Sequence, residues 1–592
     1  MKKLVLLVIF SFLITSSIAL ANSSLLVVFP QTNYQTSAEK IFFLGTAPSN
    51  GQVLINGKAV TRSKAGHFAP SVPLQLGDNL FTVRHQNQEL QIKVTRLSTQ
   101  PVLPQGLAFA KDSLTPAADI ARLPGELICF SAIAPSNASV TVKLANQTIA
   151  LAPQPSKAQL PSNLAALTGR NQPANKSTVG NYQGCTTLAA AADLGTPEFQ
   201  LTLDGKTITQ QGTGKIQILA PTQLPVIEVT ADSGVARTGP STDYSRLTPL
   251  PKRTQAAVTG KEGEWLRLDY GAWINAKETQ VLPGAISPHT IIRSVGYRKL
   301  PSATEIVFPL EVPVPVSVQQ SDACGKSCGL RSFALTLYNT TAQTDIVRTD
   351  ENPLISRLDW RQLTPGQVQY TFYLKKSQQW GYHLRYEGTS LILALRHPPV
   401  IKDKTRKPLS GIRILLDPGH GGKESGASGP TGYLEKDVNL VVSKLLRDEL
   451  VKRGATVVLT REDDRDVSLV ERQAIISKEE PAIALSVHHN SLPDDGDAEK
   501  TKGFGTFWYN TQSHSLALFL HNYVVKNLGK PSYGVFWNNL ALTRPTAAPS
   551  VLLELGFMSN PEEFEQVVNP QSQKKMATVL ADGITEWFKS VR

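Results

Sequence analysis

The sequence predicts a multidomain fold in which β-sandwich and β-barrel modules precede a C-terminal α/β domain with a twisted, mixed sheet flanked by helices. Three observations predict it. The chain of 592 residues is several times longer than one hydrophobic core supports, which at roughly 100–200 residues per domain implies about four or five domains. Up to about His397, short β-branched runs alternate with turn signals. From Gly411 onward the pattern changes to strands alternating with helices. A hydrophobic content of 41% with 18% charged residues excludes a disordered chain, so each segment can be read as folded.

Lys2 and Lys3 precede an apolar run from Leu4 to Leu13, and Ala19-Leu20-Ala21 supplies small residues before Asn22. Residues 1–21 therefore read as a secretory signal peptide. Ser11, Thr15, Ser16 and Ser17 interrupt a run already too short for a bilayer, so no transmembrane anchor is expected after cleavage. Export to the periplasm or cell wall makes disulfides available, and the preferred pairing is Cys129 with Cys185 and Cys324 with Cys328. The formal charge is +12, and removal of Lys2 and Lys3 leaves +10. This balance favours anionic envelope polymers as partners. The basic residues are scattered rather than packed into a tract, so nucleic acid is not expected.

Residues 24–98 carry runs such as Val53-Leu54-Ile55 and Asn79-Leu80-Phe81-Thr82-Val83, with Asn56-Gly57 as a hairpin signal. They resemble the immunoglobulin-like β-sandwich modules of bacterial surface proteins. Residues 106–222 repeat the pattern as a second sandwich, with Ser139–Leu144 and Phe199–Leu203 flanking a polar insertion from Ala152 to Gly180 that lacks an apolar period. A Cys129–Cys185 bond would tie that sandwich across the insertion. Residues 224–283, with Val235–Ser241, Gln255–Val258, Glu264–Leu268 and Gly271–Ile274, resemble a bacterial SH3-like barrel. Residues 285–400 form another β-rich domain, with Glu305–Leu310 and Leu391–Leu395 as candidate strands, and 401–410 are a polar, basic linker.

In residues 411–592 the predicted order is strand Ile412–Leu416, helix Lys436–Arg453, strand Thr456–Leu459, helix Ser468–Lys478 and strand Ile483–Val487. Ligands of α/β sheets gather at the carboxyl ends of strands. The first strand runs into Asp417-Pro418-Gly419-His420-Gly421-Gly422, whose glycines permit a sharp turn that displays His420. A later strand ends Ser486-Val487-His488-His489-Asn490, and since neighbouring strand residues face opposite ways, only one of His488 and His489 points inward. Glu435 opens the intervening helix and would complete a His, Glu, His set, leaving a fourth zinc position open for water. Glu554, a lone carboxylate within Val551-Leu552-Leu553-Glu554-Leu555, is the candidate proton shuttle, its pKa raised by burial.

The segments Leu416–Gly422, Leu434–Asp437, Ser486–Asn490 and Leu553–Pro561 resemble the motifs of the N-acetylmuramoyl-L-alanine amidases of the amidase-3 type. The resemblance covers about the last third of the chain. It implies zinc (Zn2+) on His420, Glu435 and His488, with Glu554 catalytic. The family's Ser-Ile-His-Ala-Asn pattern aligns its His with His488 and its Ala with His489, so His489 is a departure. The implied substrate is peptidoglycan, cut at the amide between N-acetylmuramic acid and L-alanine. Arg544 falls where the family often carries an Arg and would hold a stem-peptide carboxylate, and Asn490 is read with it as substrate-binding. The β-rich domain at 285–400 resembles the targeting domain that precedes many wall amidases. About a dozen polar residues separate His489 from Gly503, too few for the plugging helix some members carry, so none is expected. Two rival readings stay open: a glycosidase using Glu435 and Glu554 as a carboxylate pair, and a non-catalytic cell-wall-binding protein.

Overall fold

The structure, a computed structural model, describes residues 24–99, 103–155, 157–168, 172–176, 180–321, 331–347, 351–402 and 407–591. The expected signal peptide, the Cys324–Cys328 pair and part of the 401–410 linker lie outside the described residues.

The first module pairs Leu26–Phe29, Leu44–Thr46 and His67–Phe68 in one sheet and five strands, Tyr34–Thr36 to Gln88–Arg96, in another. Asn56 and Gly57 both have positive φ, 48° and 77°, which is the backbone that a two-residue hairpin between Val53–Ile55 and Lys58–Ala59 requires. A six-stranded sheet follows, from Ile128–Ile133 to Lys206–Gln211, and Cys129 and Cys185 are bonded across the adjacent strands Ile128–Ile133 and Asn181–Thr186. Its polar insertion is not wholly irregular. Lys157–Gln159 pairs with Ala174–Lys176, and Ala165–Thr168 forms a single helical turn whose Leu167 carbonyl accepts the Tyr533 hydroxyl at 3.0 Å. That tether lies hundreds of residues away in sequence, so no local period announces it.

Ile120–Arg122 pairs antiparallel with Gln255–Glu262, so one sheet runs from the second module into strands of the 224–283 region. Arg122 to Glu262 and Arg267 to Glu126, each at 2.7 Å, clasp the same seam. Residues 290–396 build two four-stranded antiparallel sheets around a common apolar core that includes Ile306, Phe308, Phe333, Tyr370 and Leu393.

The C-terminal domain contains β1 (Arg413–Pro418), α1 (Glu435–Lys452), β2 (Thr456–Leu459), α2 (Leu469–Glu479), β3 (Ile483–Asn490), β4 (Phe504–Trp508), α3 (Thr511–Leu528), β5 (Ser532–Trp537), β6 (Ser550–Phe557), α4 (Pro561–Val567) and α5 (Pro570–Ser590). The strand order is β2-β1-β3-β6-β4-β5, parallel except where β4 meets β6. Buried β1 and β3 are runs of Ile, Leu, Val and Ala, as strands covered on both faces must be. Ser468 starts α2 with a capping box closed by Glu471, and Asn569 with Pro570 starts α5. The main core lies between the sheet and α1, α3 and α5, and it includes Trp380, which stacks on Phe588 with ring centres 5.9 Å apart. Gln378 and Arg396 also bond into this domain, through the carbonyls of Gln512 and Ala547. Among the described residues no helix is long and apolar enough to cross a membrane.

Candidate metal centre

Asp417, next to last in β1, is buried and ionically matched. Its carboxylate accepts from Arg472 Nη1, Thr460 Oγ1 and Ser486 Oγ, each at 2.6 Å. Arg472 also donates to the carbonyls of Pro418 and His420, and the buried Arg461 donates to those of Pro418 and Gly419. Two guanidiniums thus saturate the carbonyls of a turn that would otherwise bury them unpaired. The turn holds His420 at φ 59°, and Gly421 and Gly422 follow at 135° and 56°. Such left-handed geometry strains any residue but glycine, and here the arginines and the glycines together keep His420 in it.

Glu435, 4% exposed, occupies the first position of α1, where the helix dipole favours a negative charge. One carboxylate oxygen lies 3.2 Å from His420 Nε2 and accepts the Ala427 N–H; the other lies 3.0 Å from His488 Nδ1 and accepts the His489 N–H and an Asn439 amide hydrogen. The imidazoles of His420 and His488 meet edge to face with centres 4.9 Å apart. Ligand atoms of His420, Glu435 and His488 all fall within 4.8 Å of one another, an arrangement that could hold a metal ion. Small residues make the room. A Cβ on Gly419 would sit 2.2 Å from His488 Cε1, and one on Gly426 would sit 2.5 Å from a Glu435 oxygen.

Burial alone would raise the Glu435 pKa, but hydrogen bonds from His420 and His488 and their charges hold it well below the usual carboxylate range. For His420, burial works against protonation and is outweighed by the bond to Glu435, so its pKa lies above the ordinary value. Glu554 lies on β6 opposite His488 of β3 and Gly505 of β4. Its side chain keeps some contact with solvent, yet one oxygen, Oε2, is enclosed and lacks a hydrogen-bond partner. Burial, followed by the nearby charge of Glu435, pushes its pKa well above the usual range. Two carboxylates in one site are therefore driven in opposite directions, one toward a fixed anion and one toward a group that exchanges protons.

The inward position that the sequence left open falls to His488. His489 points the other way into the domain, is 3% exposed and has its pKa lowered to about 3 by burial. Its Nδ1 lies 2.8 Å from Asn439 Oδ1, an acceptor, so Nδ1 carries the hydrogen and Asn439 turns its amide hydrogens to Glu435. Asn439, Arg461 and Arg472 are the site residues that sequence reasoning missed. Asn439 was legible in principle, since it stands one helical turn after Glu435. Asn490 accepts the Ser491 N–H in its own turn. Arg544 lies apart from the histidines: it is held by Asn539 at 2.6 Å, and the charges acting on it are Arg246, Arg237 and Tyr509.

Between β3 and β4 the chain forms no helix. Instead it docks on the first module, where the Phe42 N–H and the Tyr34 hydroxyl reach Asp494, Ser71 reaches the Gly496 carbonyl, and Ala498 packs with Phe42 and Leu44.

Residues 414–586, which include all of this machinery, match the family Amidase_3, described as N-acetylmuramoyl-L-alanine amidase. The C-terminal segment is an Amidase_3 domain. A curated relative of this amidase domain, the probable cell wall amidase LytH of Staphylococcus aureus, is 34% identical over 195 residues, which cover 32% of this chain. The chain spans 64% of the length of that relative. Among solved structures, the N-acetylmuramoyl-L-alanine amidase AmiC2 of Nostoc punctiforme is 31% identical, over 30% of this chain and 99% of that one, with a TM-score of 0.29. The catalytic domain of CwlV, an N-acetylmuramoyl-L-alanine amidase from Bacillus (Paenibacillus) polymyxa var. colistinus, is also 31% identical, over 31% and 99% of the respective chains, with a TM-score of 0.29.

Proposed function

We propose that this chain is an exported zinc amidase that hydrolyses the bond between N-acetylmuramic acid and the L-alanine of the peptidoglycan stem peptide, in wall remodelling or daughter-cell separation. The observation that carries the reading is the convergence of two imidazoles and an ionised carboxylate within 4.8 Å, inside the segment that matches the amidase family. Two nitrogen donors and one oxygen donor suit zinc, and three protein ligands leave a position for a reactant. His420, Glu435 and His488 would hold the ion. A bound zinc ion supplies Lewis acidity, which makes water a nucleophile near neutral pH and polarises an amide carbonyl.

The remaining work belongs to the chain. Glu435, kept ionised by its neighbours, contributes a full negative charge to the cation site. Asn439 and the N–H groups of Ala427 and His489 fix the carboxylate's orientation. Glu554 takes a proton from the attacking water and passes it to the departing alanyl nitrogen; its raised pKa suits both halves of that task. Asn490 and Arg544 would contact substrate. A glycosidase mechanism is disfavoured because two imidazoles converge on the Glu435 carboxylate, a donor set that suits a cation and that a carboxylate pair acting on a sugar does not call for.

Digestion of purified peptidoglycan followed by mass analysis tests the reading. Freed L-alanyl amino termini that vanish on chelation and return with zinc are expected. New reducing sugar ends that persist under chelation would move the assignment to a glycosidase, and intact glycan with intact stems under all conditions would leave a wall-binding protein.

A further inference from the structure

Two adjoining hollows of about 490 and 430 Å³ open between the 224–283 region and the amidase domain, the first bounded also by the 285–400 region and the second by the polar insertion, and both are lined by Arg246, Arg544, Tyr509 and Trp537. Arg237 joins the second hollow. Three guanidiniums from two modules thus face one space. Among the described residues, no carboxylate pairs with Arg246 or Arg544; Arg544 is steadied only by the neutral Asn539. Arg237 is 7% exposed, spends its Nη1 on the carbonyls of Thr242 and Tyr244, and leaves Nε buried without a partner. The single carboxylate among the lining residues is Asp243, which is exposed.

Bringing like charges together out of water costs free energy unless an anion offsets it. That cost is visible at Arg544, whose pKa is pushed down to about 10 by burial and then by Arg246 and Arg237. The rest of the lining suits an organic anion better than a bare inorganic one. Trp537 is 63% exposed, with its ring 5.1 Å from that of Tyr509, and offers an apolar platform beside the charges.

The hollows also stand at a definite spacing from the metal centre. Gly505 of β4 is opposite Glu554, and Trp508, three residues further along β4, is paired with Trp537. Three strand residues span about 10 Å, the same length as three residues of an extended peptide. Tyr533 links the two ends: its pKa feels Glu554, after burial, and its hydroxyl reaches the Leu167 carbonyl in the wall of the second hollow.

We infer that Arg246 and Arg237 of the barrel region and Arg544 of the amidase domain form one composite subsite for the free carboxylates of a peptide whose first amide lies at Glu554. This inference rests on the amidase reading and extends it, because it makes the barrel part of the substrate site rather than a separate wall anchor. A bidentate guanidinium matches a carboxylate, and removing one such partner weakens binding about tenfold.

The test uses the full chain carrying Glu554→Gln, which slows turnover, titrated calorimetrically with a free stem tetrapeptide, with the same peptide amidated at its carboxylates, and with inorganic phosphate. The free peptide should bind at least about tenfold more tightly than the amidated one, Arg246→Gln and Arg544→Gln should each erase that preference, and phosphate should compete poorly. Equal affinity for both peptides, a preference that survives Arg246→Gln, or competition by phosphate as effective as by the peptide would overturn the subsite. The two readings fail separately: hydrolysis of peptidoglycan by the unmodified chain without any carboxylate preference sinks only the subsite, whereas an Arg246-dependent preference without hydrolysis sinks the amidase reading.

Discussion

At the scale of single residues the centre depends on a division of labour between two carboxylates. Glu435 is fixed as an anion by two imidazoles, whereas Glu554 has an enclosed oxygen, Oε2, that no donor reaches. Replacement by an isosteric amide separates the roles. Glu554→Gln should retain zinc at the stoichiometry of the unmodified chain while hydrolysis falls about 10²- to 10⁴-fold, the usual contribution of a positioned proton shuttle. Metal analysis and turnover on the same preparation check this. Unchanged hydrolysis, or loss of metal together with activity, contradicts the assignment. The two histidines and Glu435 were legible in the sequence because they stood at strand ends or at a helix start, with glycines beside the first, and Glu554 because it was the lone carboxylate of an apolar strand. Arg461 and Arg472 were not. Each stands in a polar stretch where an arginine ordinarily faces water, and only the folded chain reveals the buried carbonyls of Pro418, Gly419 and His420 that they serve.

At the scale of elements, strands and helices of the amidase domain follow the sequence pattern to within a few residues, because short β-branched runs and a capping box fix them locally. Pairings between modules had no such local signal. The antiparallel join of Ile120–Arg122 to Gln255–Glu262 crosses the boundary expected near residue 223, and Glu126 and Arg267 clasp it. Burial alone would raise the Glu126 pKa; the bonds from Arg267 and the Leu123 N–H nonetheless hold it below the usual range. A carboxyl group whose folded pKa is depressed stabilises the fold fully above its unfolded pKa, about 4.3, and that stabilisation disappears as pH falls through the folded value. Both partners are partly exposed, which limits the clasp to about 1 kcal/mol. Thermal melts should therefore show Glu126→Gln less stable than the unmodified chain at pH 7 and indistinguishable from it at acid pH. A difference that persists undiminished in acid would show that the loss is one of packing rather than charge.

At the scale of the whole molecule, modules that composition presented as separate beads are joined to the amidase domain at several places. The loop that leaves β3 rests on the first module through Asp494, Gly496 and Ala498. Trp380, outside the segment at 411–592, completes the core beneath α5 by packing on Trp587 and Phe588. Trp380→Ala should cost roughly 3–5 kcal/mol, the range for truncating a buried aromatic, and should appear as faster loss of hydrolysis on heating although the residue is no part of the candidate metal centre. Heat inactivation at the unmodified rate would mean that the amidase domain is stable without this contact. The contact could not be read in advance, because nothing in the local period of Gln378-Gln379-Trp380 distinguishes a residue of its own module from one lent to its neighbour.

The central claim is that water attacks the lactyl amide carbon beside His420, Glu435, His488 and Glu554, and isotopic labelling tests it most directly. Peptidoglycan digested by the zinc-loaded chain in ¹⁸O-water should yield muramic acid with one ¹⁸O in its lactyl carboxylate and L-alanyl amines free of label. Label at an anomeric carbon, with the lactyl amide intact, would contradict it.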